Sequence, residues 1–260
     1  MGPRARRIVK PMVMRCYLAV RPVLAWLRLE RRAKYLYESL YWRRRKAREA
    51  ELGNQWYETL FTRRIGLDRS TYAGKRVLDV GCGPRGSLEW ADDAARRVGL
   101  DPLVPSYRRL GIDRHAMEYV AAPAEDMPFP DASFDIVTSF NSLDHVDDLD
   151  ASIAEMTRVL TPGGLLVIVV EVGHAPTIAE PHRLDRDLAQ RFGDAFTVER
   201  EQHLEFHADK PGAAASLRRS LPFDHQDRRD RSGTLHLQLR RIAQGEPGAT
   251  TVRGEAQVDS

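Results

Sequence analysis

Arg76-Val77-Leu78-Asp79-Val80-Gly81-Cys82-Gly83-Pro84-Arg85-Gly86 decides the fold of this 260-residue chain. The run Arg76 to Val80 has the length and apolar character of a short strand. Gly81, Gly83 and Gly86 then form G-x-G-x-x-G, and a helix is expected over Ser87 to Val98, so the bend lies between strand and helix. Glycines let a backbone turn sharply and lie against a ligand. A second strand ends at Gly99-Leu100-Asp101, which places Asp101 twenty positions after Gly81. A carboxylate there can accept from both hydroxyls of a ribose. The constellation points to a cofactor of the adenosine type.

Outward from this bend, strands and helices alternate. Met117 to Ala121 is a brief third strand and Phe134 to Phe140 a fourth. Leu149 to Leu160 is a helix stopped by Pro162-Gly163-Gly164. Leu165 to Val172 is a fifth strand, aliphatic on both faces, as a central strand covered by helices on both sides requires. The pattern predicts an α/β fold: a Rossmann-like, doubly wound, mostly parallel seven-stranded sheet with an antiparallel last strand, preceded by N-terminal helices. Beyond strand five, Leu184 to Phe192 is expected to be a helix and Phe196 to Leu204 a strand. In Thr234 to Arg240, Leu235, Leu237 and Leu239 alternate with His236, Gln238 and Arg240, which predicts a last strand with one open face, as in an edge hairpin. Lys210 to Ser232 is expected to be a polar loop.

The N-terminal region differs in character. Residues 1–28 form a basic, apolar-rich arm. Residues 29–50 read as a charged helix with Leu29, Leu36, Tyr37, Leu40 and Tyr41 at roughly helical spacing, and Trp56 to Ile65 as a second helical stretch. Between Met1 and Arg48 there are 15 Lys and Arg against two Glu, in a chain whose net charge is only +3. Such an arm suits an anionic membrane surface, nucleic acid or an acidic partner. Arg15, Arg21, Arg28 and Pro22 interrupt the apolar run from Met12 to Leu29, which argues against a membrane span or a signal peptide. With two cysteines, Cys16 and Cys82, neither a disulfide framework nor a zinc cluster is indicated, and no metal is expected. The reading is of a cytoplasmic protein, peripheral to the membrane at most. The expected organisation is a basic helical arm over 1–55, a main domain over 56–243 and a disordered tail over 244–260.

Two adenosine cofactors have to be separated. A dinucleotide brings a pyrophosphate, which a helix N-terminus with few carboxylates would hold. S-adenosyl-L-methionine brings instead a cationic sulfonium and an ammonium, which favour carboxylates along the bend. Asp79, two residues before Gly81, supports the sulfonium compound. A Tyr-x-x-x-Lys pair of the kind used by short-chain dehydrogenases is lacking.

Val77 to Gly83, with Pro84, Arg85 and Gly86, resembles motif I of the class I S-adenosylmethionine-dependent methyltransferases, particularly the "methyltransferase domain 11"-like group that acts on small molecules. Ala124 to Phe129 with Asp131 to Val137 resembles that group's A-E-x-L-P-F and S-F-D-x-V segments. Ser139 to Val146 resembles its segment after strand four, and Leu160 to Leu165 its Leu-x-Pro-Gly-Gly turn. The resemblance covers about residues 74–172. It implies that Asp79 and the bend Gly81-Cys82-Gly83 hold the methionine end of the cofactor and Asp101 its ribose. Pro102 and Leu103 would flank the adenine, Ala124 and Glu125 would lie near its amino edge, and Asn141 would face the sulfonium and the substrate. Pro123 stands where the family often has Asp, leaving Glu125 or Asp126 as substitutes. Cys82 reads as a small buried filler, Phe129 and Phe134 as core, and Asp135 as a residue that fixes the start of strand four.

Methyl transfer requires two reactants to be positioned and water excluded. A hydroxyl acceptor also needs a base, for which His145, His174 and His182 are candidates at the carboxyl edge of the sheet. His174 is preferred because it follows strand five in the loop Gly173 to Thr177. The expected activity is transfer of a methyl group to a small-molecule, glycan or lipid-linked acceptor. Two rivals stay open: a nucleic-acid (RNA) methyltransferase, resting on Tyr35, Tyr37, Tyr41 and Trp42 among the arginines, and a non-catalytic S-adenosylmethionine-binding module. Asn141-Ser142-Leu143-Asp144 is unlike the Asn/Asp-Pro-Pro-aromatic run of adenine-amino methylases, which makes nucleic acid the less favoured substrate. Acceptor pockets in this fold are built from N-terminal helices and loops, so the residues fix neither the acceptor nor the oligomeric state.

Overall fold

The computed structural model describes residues 29–49, 51–206, 212–226 and 231–243. Residues 1–28 and the expected tail 244–260 lie outside the described residues. The seven strands are β1 (Arg76–Val80), β2 (Arg96–Leu100), β3 (Glu118–Val120), β4 (Phe134–Phe140), β5 (Leu160–Val172), β6 (Phe196–Glu205) and β7 (Gly233–Arg241). They form one sheet in the order β3-β2-β1-β4-β5-β7-β6. β7 runs antiparallel to both neighbours, β5 and β6, and the other pairings are parallel. The expected doubly wound sheet is therefore present. The chain moves outward from β1 to β3, then returns to place β4 beside β1, which opens a crevice at their carboxyl ends.

The helices are α1 (Glu30–Glu49), α2 (Tyr57–Phe61), α3 (Val104–Tyr107), α4 (Leu149–Val159) and α5 (Ala213–Arg219). α4 shows how local sequence sets an element. The Asp148 carboxylate accepts from the Ala151 N–H at 3.0 Å and so caps its first turn, while Leu149, Ile153 and Met156 form a buried face at helical spacing. They join Leu78, Val80 and Leu237 in the core on one side of the sheet; Phe61, Val77, Val167 and Leu217 belong to the core on the other side. No helix among the described residues is long and apolar enough to cross a membrane.

Four expectations are corrected. The helix over Ser87 to Val98 does not form: Arg96, Arg97 and Val98 pair with Arg76, Val77 and Leu78 as β2. The nine residues left between the bend and β2 close as single turns, with Glu89, Ala91 and Ala94 donating to the carbonyls of Gly86, Leu88 and Ala91. Helical apolar spacing loses here to strand pairing, since β2 must bridge β1 and β3. The helix expected from Leu184 starts at Leu188 and consists of 3₁₀ turns, because the Leu184 carbonyl is taken by the Gly173 N–H at 2.8 Å.

β7 is neither an edge nor open on one face. It lies between β5 and β6 with Gly233 to Leu239 buried. His236 and Gln238 are buried polar residues bonded within the structure: Gln238 Nε2 donates to the Ile65 carbonyl, and His236 Nδ1 lies 3.2 Å from Gln202 Oε1. Burial lowers the His236 pKa to about 3, so the imidazole is neutral. Finally, the stretch expected as one polar loop contains α5, which buries Ala213 and Leu217 and turns Arg218 and Arg219 outward.

Candidate functional site

The glycine bend closes over the end of β2. Gly81 and Cys82 both direct their N–H groups at the Leu100 carbonyl, at 2.8 and 3.4 Å. Gly81, Gly83 and Gly86 all have positive φ, and a Cβ on Gly81 would come within 2.2 Å of the Ser142 Cβ. Only glycine fits there, because left-handed backbone and a close neighbour coincide. Asp79, the fourth residue of β1, pairs in register with Thr138 of β4. Its carboxylate accepts from Thr138 Oγ1 at 2.7 Å and from the Ser87 hydroxyl. Asp101, just past β2, accepts from the N–H groups of Leu103 (2.8 Å) and Gly83 (3.2 Å) and from the Tyr107 hydroxyl (3.3 Å). Both carboxylates are buried. Burial raises the pKa of Asp79 to about 7, against the pull of the Ser87 and Thr138 hydrogen bonds, and that of Asp101 to about 6. Two buried acids flanking one bend are costly unless a cation shares the space with them.

Across from this floor lies α1. Near its start, Lys34 Nζ donates to the His145 carbonyl at 2.7 Å and pairs with Asp147, which also takes Arg31 at 2.6 Å. At its end, Glu49 takes Arg85 at 2.6 Å. The Arg85 guanidinium is buried between the rings of Trp42 and Trp56, 5.6 and 5.2 Å from their centroids. Trp42 sits over the bend, with its Cζ2 atom 3.3 Å from where a Cβ on Gly83 would lie. The helix thus presents Lys34, Glu38 and Trp42, four residues apart, to the cleft. Leu36, Tyr37, Leu40 and Tyr41, which stand at roughly helical spacing, are exposed, Leu36 by 62%.

Two adjoining hollows, of about 130 and 710 Å³, share Gly81, Gly83, Asn141, His145, Glu38 and Trp42 and form one cleft along the carboxyl edge. The residues expected to hold the cofactor line it, except Leu103, which is buried in the cluster with Val104 and Tyr107. Asp101, Pro102, Ala124 and Glu125 lie in the smaller hollow, Asp79 and Cys82 in the larger, and Gly81, Gly83 and Asn141 between them. Asn141 has φ 53°, a conformation Asn tolerates better than most residues, and its Oδ1 is buried without a hydrogen-bond partner among the described residues. Glu125 Oε1 accepts from the N–H groups of Asp147 and Asp148, so part of its acceptor capacity is used in holding the turn before α4. Cys82 is a free, buried thiol whose pKa burial pushes well up, consistent with a filler and not a nucleophile. Asp135 binds the Arg76 N–H and guanidinium, at 2.9 and 2.7 Å, outside the cleft.

The histidines separate. His145 lines both hollows; His174, preferred from sequence, lines neither. His174 Nε2 lies 3.5 Å from the buried Asp144, and that carboxylate raises its pKa to about 9. Burial works most strongly against a charge on His145, yet Glu38, Asp144 and Glu180 together raise its pKa to about 9. His182 lines neither hollow. Sequence reasoning missed Lys34, Glu38 and Glu180, and it named Trp42 only for the nucleic-acid rival and Arg85 only as part of the bend. Lys34, Glu38 and Trp42 were readable as one helix face at i, i+4, i+8, had polar residues been allowed to face inward.

S-adenosylmethionine fits this donor set: a buried carboxylate at Asp79 suits its cationic end, one at Asp101 suits ribose hydroxyls, the buried Asn141 Oδ1 offers an acceptor, and the glycine bend leaves room for backbone approach. A dinucleotide fits less well. Among the described residues no helix begins at the bend, so the N-terminal N–H groups that hold a pyrophosphate are not there.

The family profile described as "Methyltransferase domain" matches residues 78–168. Among curated proteins, the ubiquinone/menaquinone biosynthesis C-methyltransferase UbiE of Shewanella piezotolerans is 45% identical over 89 residues, 34% of each chain. The malonyl-[acyl-carrier protein] O-methyltransferase of Pseudescherichia vulneris is 39% identical over 90 residues, 34% of this chain and 36% of that protein. The O-methyltransferase resE of Aspergillus sclerotiorum is 30% identical over 147 residues, 53% of each. The matches span between about a third and a half of these relatives. Among solved structures, the N-methyltransferase NodS of Bradyrhizobium japonicum in complex with S-adenosyl-L-homocysteine superposes with a TM-score of 0.51 at 17% identity, over 72% of this chain and 88% of that one. At that identity the likeness speaks for the fold.

Proposed function

With a class I methyltransferase domain over residues 78–168 as the premise, we propose that this chain is an S-adenosylmethionine-dependent methyltransferase acting on a small-molecule or lipid-linked acceptor. The observation that carries the reading is the pair of buried carboxylates, Asp79 and Asp101, on either side of a glycine bend that opens into a roofed cleft.

S-adenosylmethionine, when bound, supplies a methyl group on a sulfonium sulfur. Asp79 is placed to take the methionine end and Asp101 the ribose, with Pro102 and Ala124 beside the adenine. Asn141 stands where the hollows meet and orients the reacting region. Trp42 and Glu38 of α1 cover the bend and exclude water. His145 replaces His174 as the histidine that faces the acceptor: its Nδ1 is engaged by Glu38 at 3.2 Å, which fixes the ring in the wall of the larger hollow. Tyr37, Tyr41 and Arg44 line the larger hollow and suit an acceptor with an apolar body and a polar end better than a glycan. The nucleic-acid alternative loses ground because Trp42 faces the bend and Tyr35 packs against the cluster of Leu103, Val104 and Tyr107.

Incubation with methyl-labelled S-adenosylmethionine and fractionated cell extract tests the proposal. Label is expected in a small-molecule or lipid fraction, and Asp79→Asn should lower its transfer about a hundredfold. Label in RNA alone, or binding without transfer, would refute it.

A further inference from the structure

Beside the cleft lies a group of side chains that binding of S-adenosylmethionine does not use. Asp144 is completely buried just after β4, and neither of its carboxylate oxygens has a hydrogen-bond partner among the described residues. A fully buried carboxylate without hydrogen bonds is costly even when charged groups stand near it. Its nearest polar neighbours are two imidazole nitrogens, His174 Nε2 at 3.5 Å and His145 Nε2 at 4.0 Å. Ligand-type atoms of Asp144, His145 and Glu180 all lie within 4.8 Å of one another.

The orientation of the two rings is the second observation. His145 Nδ1 is held by Glu38 Oε1 at 3.2 Å, and His174 Nδ1 by the Ala175 carbonyl at 3.0 Å. Each ring therefore has one nitrogen tied to an oxygen and turns the other toward the same buried carboxylate. Imidazoles that bind metals are oriented in this way, with the far N–H given to a carboxylate or a backbone carbonyl.

We propose that Asp144, His145 and Glu180, with His174 against the second oxygen of Asp144, form a divalent metal site in the wall of the acceptor cleft. A mixed imidazole and carboxylate set suits Mn²⁺, Fe²⁺ or Zn²⁺, whereas Mg²⁺ favours oxygen alone. His145 and Glu180 line the larger hollow, so an ion held by them would turn its remaining coordination positions toward the acceptor. The assignment revises the sequence expectation of no metal, and its role toward the acceptor rests on the methyltransferase reading. For such an enzyme the ion would select acceptors that offer an oxygen ligand next to the methylated position.

Titration of the purified full-length chain with Mn²⁺, followed by electron paramagnetic resonance of the free ion, tests the site without any acceptor. About one ion per chain is expected, displaced by Zn²⁺ and poorly by Mg²⁺. Asp144→Asn should weaken Mn²⁺ binding at least about tenfold, and so should Glu180→Gln, a partly exposed position whose substitution leaves the core untouched. Glu38→Gln, acting through His145, should weaken it about tenfold. No uptake by the unmodified chain, or uptake unchanged in both Asp144→Asn and Glu180→Gln, would overturn the proposal and leave an imidazole–carboxylate network in its place. S-adenosylmethionine binding, measured on the same samples by calorimetry, reports separately on the methyltransferase reading.

Discussion

The floor and the roof of the cleft are built on opposite terms. The floor, at the ends of β1, β2 and β4, is fixed by strand register and buried hydrogen bonds: Asp79 meets Thr138 because β1 and β4 pair there, and Gly81 meets Ser142 because both chains turn at the same level. The roof, α1, touches the cleft with Lys34, Glu38 and Trp42, adds Tyr37, Tyr41 and Arg44 to the larger hollow, and turns Leu36 and Leu40 to the outside. Ion pairs at its two ends, Lys34 with Asp147 and Arg85 with Glu49, fasten it to the floor. A floor made this way tolerates little change, while a roof made of ion pairs can be loosened without unfolding the sheet.

Substitutions should separate the two. The largest effect is expected for Gly81→Ala, which combines a positive φ with a methyl group driven into Ser142. It should cost about 3 kcal/mol in denaturant unfolding and remove measurable cofactor binding. Arg85→Met breaks the fastening of the roof. Since Glu49 is partly exposed and regains water, the expected loss is about 2 kcal/mol, with faster hydrogen exchange confined to α1. The smallest effect is expected for Leu36→Lys, within about 0.5 kcal/mol of the parent in the same unfolding experiment. A loss of about 2 kcal/mol there would show that the outer stripe of α1 is a packing face after all, and the contrast would fail.

The same contrast governs what the sequence revealed. The floor was legible because its chemistry needs rare features in fixed order: positive-φ glycines, acids at strand ends, a continuous aliphatic β5. Asp79, Gly81, Cys82, Gly83, Asp101, Pro102, Ala124, Glu125 and Asn141 line the cleft for that reason, and Leu103 alone of the residues assigned to the cofactor does not. The roof was only partly legible, since apolar periodicity assigns Leu36 and Leu40 to the inside together with Tyr37 and Tyr41, and here the cleft draws Lys34 and Glu38 inward and leaves the two leucines outside. The stretch Ser87 to Val98 misled for another reason: its Ala-rich spacing is helical, but Arg96 to Val98 are recruited by β1, a partner distant in sequence. The choice between His145 and His174 likewise depended on tertiary placement, as both follow strands at the same edge and only one lines the cleft. At β7, strict alternation revealed the strand but not its neighbours, because buried His236 and Gln238 satisfy each other and Ile65 in place of water.

The central claim is that Asp79 and Asp101 are charged when they hold a cationic donor. Their raised pKa values carry a sign. In the free protein both groups bind protons more tightly folded than unfolded, so stability from them declines as pH rises from the ordinary carboxylate range to about 6 and 7. Binding of a cation then restores it. Calorimetric titration with S-adenosylmethionine between pH 5 and 8, with NADH alongside, addresses this directly. Affinity for the sulfonium compound should climb as the pH passes about 6 and 7, and NADH should give no heat of binding. Uptake of NADH, or a sulfonium affinity that stays flat across that interval, would contradict the account.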